Sequence, residues 1–389
     1  MKILKRIGIS LILIILLLEI ALLATGNTYV NKVLALTIFS GKMSPDIDEV
    51  NAFPFNEVKA DSAQPWPYAA SYNQSTINNA ISDKINYYQT VALLVIKNDS
   101  LLYEQYWENY DSASVANSFS MAKSITGMLI GCAVTEGLIK NIDEPVGNYL
   151  PEFTEGEKSK ITIRHLLTMS SGLDFKEDYV SPLAWPAESY YGPDVNTLTL
   201  KADVVTAPGK VWHYKGGDTQ LLGMILKKVT GKTVAAYATE KLWKPIGAEK
   251  TAFWSIDDKG MEKVSCCWYT NARDFARLAK LMMQYGKWNG KQIIDSAYVA
   301  ESVIPANLVD REGKPNNKYG FKWWLMEHKG HPIFYMRGIR GQYVFAIPSL
   351  NLIVVRYGHR RAPKAGDELP EDIFVYLDAA LDISESTLQ

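Results

Sequence analysis

Strand-like segments lie at both ends of the folded part of this chain and helix-like segments lie between them, which limits the possible folds more than any other feature. Residues 90–97 and 101–107 are rich in β-branched and apolar residues and flank Asn98-Asp99-Ser100, a hairpin pattern with turn chemistry. Strand patterns return late in the chain, at 319–326, 333–336, 342–347 and 352–356. We therefore predict an α+β fold (an α/β sandwich), with one antiparallel sheet formed from both chain ends, flanking helices and an inserted helical subdomain.

The middle of the chain carries helical periodicity. Helices are predicted there at 120–137, 217–229 and 271–285, and a last helix is predicted near the C-terminus at 369–381. Gly231, just past the end of the second of these, is a typical stop signal. A cleft between the sheet and the helical part is the expected place for a ligand.

The composition excludes several classes of protein. The chain has 41 Lys and Arg against 42 Asp and Glu, a formal charge of −1, and 47% hydrophobic residues. This balance is typical of a folded globular protein and excludes a disordered chain. Because there is no basic excess or stripe, no nucleic-acid partner is predicted.

The cysteines and histidines predict neither a metal site nor a disulfide framework. Cys132 lies in an apolar helical stretch and is expected to be buried. Cys266 and Cys267 are adjacent, which is poor geometry for an ordinary disulfide. His328 and His331 lack a third ligand beside them and are expected in a surface turn. We therefore predict no metal and no cofactor.

The N-terminus predicts a membrane anchor or an export signal over residues 1–25. Three basic residues precede an apolar run at 7–24 that only Glu19 interrupts. A retained anchor and a cleaved signal both stay open, and both place the rest of the chain outside the cytoplasm, in a periplasm or at the cell surface. Residues 26–70 are then predicted to be a linker, and residues 71–385 the folded domain.

Ser120 and Lys123 form an S-x-x-K motif, the sharpest chemical signal in the sequence. Positions i and i+3 of a helix share a face, so the lysine amine can reach the serine hydroxyl. Serine needs a base beside it to act as a nucleophile, and lysine becomes a base when desolvation lowers its pKa. At the start of a buried helix, the backbone amide of Ser120 also points toward developing negative charge.

Three longer segments give the chain a family resemblance: 161–173 (ITIRHLLTMSSGL), 221–231 (LLGMILKKVTG) and 270–277 (TNARDFAR). With the S-x-x-K motif, they resemble the serine β-lactamase and penicillin-binding superfamily. The resemblance falls on the branch of class C β-lactamase-related hydrolases, nearest to the 6-aminohexanoate-dimer hydrolases and related esterases, and runs from about residue 90 to 357. It implies a β-lactamase/transpeptidase-like fold and a serine hydrolase that forms an acyl-enzyme without a cofactor.

The resemblance also implies roles for single residues. The family's Y-x-N or Y-x-S motif reads Tyr214-Lys215-Gly216 here. It implies that Ser120 is the nucleophile and that Lys123 and Tyr214 transfer its proton. Either Lys123 favours a tyrosine phenolate, or neutral Lys123 takes the proton and Tyr214 relays it to the leaving group; both stay open. Gly216 departs from the motif because it has no side chain to bond the lysine or the substrate.

The family's K-T-G or H-x-G motif corresponds to 337–342 (RGIRGQ), where the motif lysine is missing. The G-x-x-G-Q form is similar to that of the 6-aminohexanoate-dimer hydrolase branch. We predict that the backbone amides of Ser120 and Ile339 form the oxyanion hole. The predicted substrate-binding residues are Gly338, Gln342 and Arg340, with Arg337 as the alternative to Arg340 for holding a substrate carboxylate.

A long segment with little helical periodicity carries Tyr179, Trp185, Tyr190 and Tyr191. Such segments often cover a binding site, so we predict either a lid or ordinary aromatic packing.

Three functions remain compatible with these residues. The first is a serine hydrolase that cleaves amide or ester bonds in small molecules or short peptides. The second is a β-lactamase or a D-alanyl-D-alanine carboxypeptidase that acts on cell-wall peptides; the export segment favours it, while Gly216 and the missing K-T-G lysine argue against it. The third is a membrane-anchored penicillin-binding or sensor protein without turnover. The sequence predicts no oligomeric state.

Overall fold

The computed structural model describes residues 2–42, 44–363 and 369–385. The strands are β1 (Phe55–Val58), β2 (Thr90–Lys97), β3 (Ser100–Tyr106), β4 (Ala116–Asn117), β5 (Ala252–Ser255), β6 (Trp268–Thr270), β7 (Lys287–Trp288), β8 (Lys291–Gln292), β9 (Trp324–His328), β10 (His331–Gly338), β11 (Gln342–Ile347) and β12 (Leu352–Gly358). The helices are α1 (Lys2–Thr25), α2 (Val30–Leu36), α3 (Asn79–Tyr87), α4 (Ala122–Thr135), α5 (Ile163–Leu167), α6 (Trp185–Tyr191), α7 (Val195–Leu200), α8 (Gly216–Thr230), α9 (Val234–Ala238), α10 (Ala272–Met283), α11 (Ser296–Ser302) and α12 (Asp372–Glu385).

The main sheet joins the two ends of the folded part, which confirms the predicted architecture. Its six strands lie in the order β3-β2-β12-β11-β10-β9 and every neighbouring pair is antiparallel. The early hairpin meets the last strand where Val95 pairs with Val354. Since β2 and β12 are far apart in the chain, this pairing brings the start and the end of the folded part together, and the residues between them form the rest of the fold.

Helices cover both faces of this sheet. Along β2, Leu94 and Ile96 point into the core that contains the apolar face of α10, whereas Leu93 and Val95 point into the core that contains α12. Side chains of a strand alternate between faces, so a strand covered on both sides needs an apolar residue at nearly every position. This is why 90–97 is almost continuously apolar.

The insertion between β3 and β9 holds most of the helices and three of the four strands of a second sheet. Helices α4 and α8 pack together there, and Gly231 ends α8 in a left-handed conformation (φ 64°), as predicted. The second sheet has the order β1-β5-β6-β4 and was not predicted, because β4 and β6 are only two and three residues long. Its strand β4 leads directly to Ser120.

The prediction of a linker over 26–70 is wrong. This segment contains α2 and β1, and β1 pairs with β5. Tyr29, Ile47 and Trp66 are buried in the main core. Their spacing fits neither a helix nor a strand, so no periodic pattern reveals that these side chains pack.

Two further elements begin later in the chain than predicted. The strand predicted at 319–326 begins only at Trp324, because residues 320–322 form bends before it. The last helix begins at Asp372, two residues after Pro370, and not at 369, since proline disfavours helical backbone at the residue before it.

Helix α1 stands apart from the packed body. Ile3–Thr25 is long and apolar enough to cross a membrane by length and composition, and none of it is buried against the rest of the chain. A helix of this length spans about 35 Å, which matches the thickness of a bilayer core.

Candidate active site

Ser120 lies on a short 3-10 turn, Phe119–Met121, between β4 and α4. The turn is fixed by backbone hydrogen bonds: the Ser118 amide donates to the Trp268 carbonyl at 2.7 Å, and the Phe119 amide donates to Asn117 Oδ1 at 2.9 Å. Phe119 has a φ of 44°, an uncommon value for a bulky residue. This turn aims the half-buried Ser120 into a pocket.

Lys123 is the direct partner of Ser120. Its Nζ donates to Ser120 Oγ at 3.0 Å and to the carbonyl oxygen of Ser265 at 2.7 Å, and the residue is only 3% exposed. Burial lowers the pKa of Lys123 well below its usual range, and the carboxylate of Glu177 opposes this effect. The site therefore holds a lysine that can be neutral close to physiological pH and that already contacts the serine.

Tyr214 completes the predicted trio. The Nζ of Lys123 lies 5.2 Å from the centre of the Tyr214 ring, and the ring packs against Trp324 and Tyr319. Ser120, Lys123 and Tyr214 all line the same pocket. The structure thus brings these three residues together, although Tyr214 is far from the others in the chain.

The structure gives a physical reason for glycine at the third position of the tyrosine motif. A Cβ on Gly216 would lie 2.3 Å from the Trp185 ring and 3.0 Å from Glu177 Oε1. The Gly216 amide donates a short hydrogen bond to that Glu177 oxygen. The side chains of a distant segment therefore fill the space into which a residue larger than glycine would project.

Glu177 is a site residue that the sequence did not reveal. Its carboxylate lines the pocket, interacts electrostatically with Lys123, and has one oxygen, Oε2, that is buried without a hydrogen-bond partner. Burial raises the pKa of Glu177, against the effects of the Gly216 amide and of Lys123. It lies in a polar stretch without a motif, so only tertiary structure could place it here.

The strand opposite Ser120 is β10, and Gly338 ends it. A Cβ on Gly338 would lie 2.4 Å from the carbonyl oxygen of Ser118, so glycine allows the strand to approach the Ser120 turn closely. Gly338 and Ile339 line the pocket. Ser120 and Ile339, whose amides are predicted to form the oxyanion hole, thus lie on two elements that line the same pocket.

Two of the predicted substrate-binding residues are used elsewhere. The Arg340 guanidinium donates to the carbonyl oxygens of Pro45 (2.6 Å), Ser44 (3.1 Å) and His359 (2.8 Å), so it holds the N-terminal segment and does not line the pocket. Gln342 is fully buried and bonds the backbone of Gly358 in both directions. Both predictions are wrong, because their hydrogen-bonding groups are already satisfied by the backbone of the fold.

Arg337, the alternative to Arg340, does line the pocket. Its guanidinium carbon lies 3.5 Å from the centre of the Trp324 ring, a stacked arrangement that fixes its plane. Arg361 lines the same pocket. This side of the pocket is therefore cationic and suited to a carboxylate or another acceptor group.

Cys266 and Cys267 form a disulfide bond with each other, although adjacent cysteines have poor geometry for an ordinary disulfide. The Cα atoms are 3.8 Å apart, closer than in ordinary disulfides, as adjacent residues must be. The pair follows Ser265, whose carbonyl accepts the hydrogen bond from Lys123, and Cys266 lines the pocket. The disulfide thus restrains the backbone that holds the lysine.

The pocket has a volume of about 840 Å³, large enough for a small molecule or a short peptide. The aromatic stretch, for which the sequence predicts either a lid or ordinary packing, lines this pocket. Trp185, Tyr190 and Tyr191 are buried and form the wall, whereas Tyr179 is mostly exposed at the mouth.

Among the described residues, Asp46, Asp48 and His359 bring metal-type ligand atoms within 4.8 Å of one another. In this cluster His359 Nδ1 lies 2.8 Å from Asp46, and Arg340 lies 3.7 Å from the same carboxylate. The hydrogen bond to Asp46 raises the pKa of His359. These contacts are those of an ion-pair network that fastens the N-terminal segment.

An S-x-x-K serine at the start of a helix, facing the end of strand β10 of an antiparallel sheet across a pocket, defines a serine hydrolase of the β-lactamase/transpeptidase-like fold. The family model described as Beta-lactamase matches residues 79–377, and the chain belongs to that family.

Individual relatives agree with this assignment. The chain is 26% identical over 295 residues to the 6-aminohexanoate-dimer hydrolase of Paenarthrobacter ureafaciens. The aligned region covers 69% of this chain and 72% of the relative. A solved structure named "Putative 6-aminohexanoate-dimer hydrolase from Bacillus anthracis" superimposes with a TM-score of 0.76 at 23% identity, covering 88% of this chain and 93% of that one. A family VIII carboxylesterase gives a TM-score of 0.65 at 17% identity, covering 82% and 98%.

Proposed function

We propose that this serine hydrolase cleaves amide or ester bonds of small molecules or short peptides through an acyl-enzyme on Ser120. The observation that carries the proposal is the 3.0 Å contact between Lys123 Nζ and Ser120 Oγ in a buried setting that lowers the lysine pKa. In its neutral form the amine accepts the hydroxyl proton while Oγ bonds to the substrate carbonyl carbon.

The rest of the pocket supports the later steps. The amides of Ser120 and Ile339 stabilise the negative oxygen of the tetrahedral intermediate. When the intermediate collapses, the C–N or C–O bond breaks and the leaving amine or alcohol takes the proton, which Tyr214 relays from Lys123. Water then attacks the acyl group, and the acid departs while Ser120 regains its proton. The opposite order, with Tyr214 as the first base, uses the same contacts.

The names of similar proteins support both bond types, since one is a D-stereospecific amidohydrolase and another a family VIII carboxylesterase. Cell-wall peptides or β-lactams are the second candidate, favoured by a relative named "Putative D-alanyl-D-alanine carboxypeptidase" from Escherichia coli. Trp185 and Glu177 count against it, because they occupy the space beside Gly216 where the motif's side chain would bond the substrate.

We also propose that α1 anchors the enzyme in a membrane with the catalytic domain outside the cytoplasm. Its length and exposed apolar surface support this, and so does the positive charge at its start. The disulfide between Cys266 and Cys267 fits an oxidising compartment.

The experiment compares the full-length enzyme with Ser120→Ala on nitrophenyl esters, linear amides and nitrocefin, with a fluorophosphonate probe as a label of the nucleophile. We expect ester or amide turnover and labelling in the wild type, and a loss of at least about a thousandfold in the variant. Unchanged ester turnover by Ser120→Ala would overturn the proposal. Rapid acylation by a penicillin with turnover of nitrocefin would move the assignment to the second candidate.

A further inference from the structure

Exposed apolar side chains surround the mouth of the pocket. Tyr179, Val180 and Leu183 project from the segment before α6, and Val180 is 92% exposed. Ile38 and Phe39 directly follow Thr37, which lines the pocket, and Phe39 is 80% exposed. We call these five residues the apolar rim. Exposed large apolar side chains beside a pocket mouth are typical of a membrane or binding surface.

The apolar rim is joined to the end of α1 by a short, packed connection. After Thr25 the chain passes through the buried Tyr29 into α2, and α2 packs against α6. Asn31 Nδ2 donates to Glu19 Oε2 at 2.9 Å, which places α2 beside the last turns of α1. Since α2 is seven residues long, it spans about 10 Å. Only residues 26–37 therefore separate Ile38 and Phe39 of the rim from the end of α1.

The pocket next to the rim is also lined by apolar side chains. Val33 of α2 and Val180, Pro182 and Pro186 of the opposite segment line it, while Arg337 and Ser120 lie at its inner end. An acyl chain would fit the apolar outer part, with its carbonyl at the serine. Side chains that enter the boundary between headgroups and hydrocarbon are of the apolar and aromatic type found here.

We propose that the apolar rim rests in the surface of the bilayer that holds α1, and that the pocket takes from this bilayer an amphiphilic ester or amide with a long acyl chain. The inference rests on the proposed hydrolase function and on α1 as an anchor. The acyl group is transferred to Ser120 Oγ, the alcohol or amine leaves with the proton, and water releases the fatty acid. The rim thus selects substrates that are dissolved in the bilayer over substrates that are dissolved in water.

The first test uses full-length enzyme in vesicles of phosphatidylcholine and phosphatidylglycerol. One substrate, nitrophenyl palmitate, is dissolved in the vesicles, and the other, nitrophenyl butyrate, is dissolved in water. The rim variant is Phe39→Ser with Leu183→Ser, and neither residue lines the pocket. The matched control is Val205→Ser with Tyr285→Ser, which removes two exposed apolar side chains outside the rim.

We expect the rim variant to lose about tenfold or more of the palmitate rate, because two side chains no longer bury apolar surface, and to keep the butyrate rate. The control should keep both. An unchanged palmitate rate in the rim variant, or no palmitate turnover by a wild type that hydrolyses butyrate, would overturn the inference and leave the proposed function intact. A wild type that hydrolyses neither ester, with Ser120 unlabelled, would instead contradict the proposed function.

The second test reads the position of the rim without relying on activity. Phe39→Cys and Tyr285→Cys are each labelled with an environment-sensitive dye; the native free cysteine, Cys132, is buried. We expect the dye at 39 to shift to shorter wavelength in vesicles and to be quenched by brominated lipid, while the dye at 285 stays accessible to aqueous iodide. Equal iodide quenching at both positions would overturn the inference. So would a shift at 39 that depends on protein concentration but not on lipid, since a second copy would then cover the rim.

Discussion

The floor of the pocket and its mouth are built in opposite ways. At the floor, Ser120 and Lys123 sit at the start of a buried helix, and the lysine is fixed by the Ser265 carbonyl at 2.7 Å. At the mouth, the rim residues lie on a single 3-10 turn, Ile38–Ser40, and on the irregular segment before α6, and they project into solvent. Chemistry that depends on distances within a few tenths of an ångström needs rigid elements, whereas access and substrate choice can be left to segments that pack loosely.

The largest loss of activity is expected from a substitution on the pocket floor, at Lys123. Lys123→Met keeps an unbranched apolar side chain in the buried position but removes the base, so we expect a loss of about a hundredfold to ten-thousandfold in kcat/KM. The free energy of unfolding should not fall, because a buried amine is replaced by an apolar group. The measurement is ester hydrolysis together with denaturant unfolding.

Lys123→Arg is the control for charge. Arginine cannot become neutral, so it should be as inactive as methionine. Near-native activity of either variant would mean that the floor does not work through a lysine base.

The next largest effect is expected where the floor meets the mouth, at Gly216. Gly216→Asn would restore the side chain of the family motif, but its Cβ would collide with the Trp185 ring and displace Glu177. We expect the free energy of unfolding to fall by about 1–3 kcal/mol, because overpacking forces neighbours from their positions. Thermal or urea unfolding measures this.

Gly231→Asn is the matched control. Gly231 directly follows α8 and caps its end in open space, in a left-handed conformation that asparagine tolerates. It should change stability far less than Gly216→Asn. A stable Gly216→Asn enzyme that hydrolyses nitrocefin would show that the glycine, and not the fold, excludes β-lactams.

The pH dependence of kcat/KM tests how Glu177 affects the pKa of Lys123 on the pocket floor. The carboxylate of Glu177 favours the charged form of Lys123, so Glu177→Gln should lower the lysine pKa further. Activity rises with pH as Lys123 loses its proton, and the rising limb should therefore move to lower pH in the variant. The quantity to compare is the midpoint of that limb in kcat/KM.

Asp178→Asn controls for a change of charge in the same segment. Asp178 is exposed, so solvent screens its charge from the lysine. Its profile should match the wild type. A limb that moves to higher pH in Glu177→Gln would contradict the assignment of Lys123 as the base.

The smallest effect on turnover is expected at Arg340. Arg340→Ala removes the hydrogen bonds to Ser44 and Pro45, so we expect faster proteolysis near 44–46 and a loss of about 1–3 kcal/mol in unfolding free energy. KM for a neutral short-chain ester should hardly change. Arg337→Ala, by contrast, should raise KM for substrates that carry a carboxylate. The reverse pattern would restore Arg340 as the substrate-binding arginine.

Much of the framework was predictable because it is encoded locally. The hairpin of β2 and β3 follows from two apolar runs around Asn98 and Asp99, and α8 follows from its periodicity and its stop at Gly231. Serine and lysine three residues apart must meet on one helix face. The wrong predictions concern long-range contacts: nothing near Arg340 in the chain indicates that its guanidinium bonds the carbonyls of residues 44 and 45.

By itself, then, the sequence determined the two ends of the main sheet, the helical insertion, the serine–lysine pair and an apolar N-terminal helix, because each depends on neighbours within a few residues. Only the tertiary structure decided what surrounds that pair. Glu177 and Trp185 fill the space above Gly216, the disulfide of Cys266 and Cys267 lies beside the carbonyl that holds Lys123, and α2 packs as a wall of the pocket. These contacts join segments far apart in the chain, and their energy comes from burial that no local pattern records.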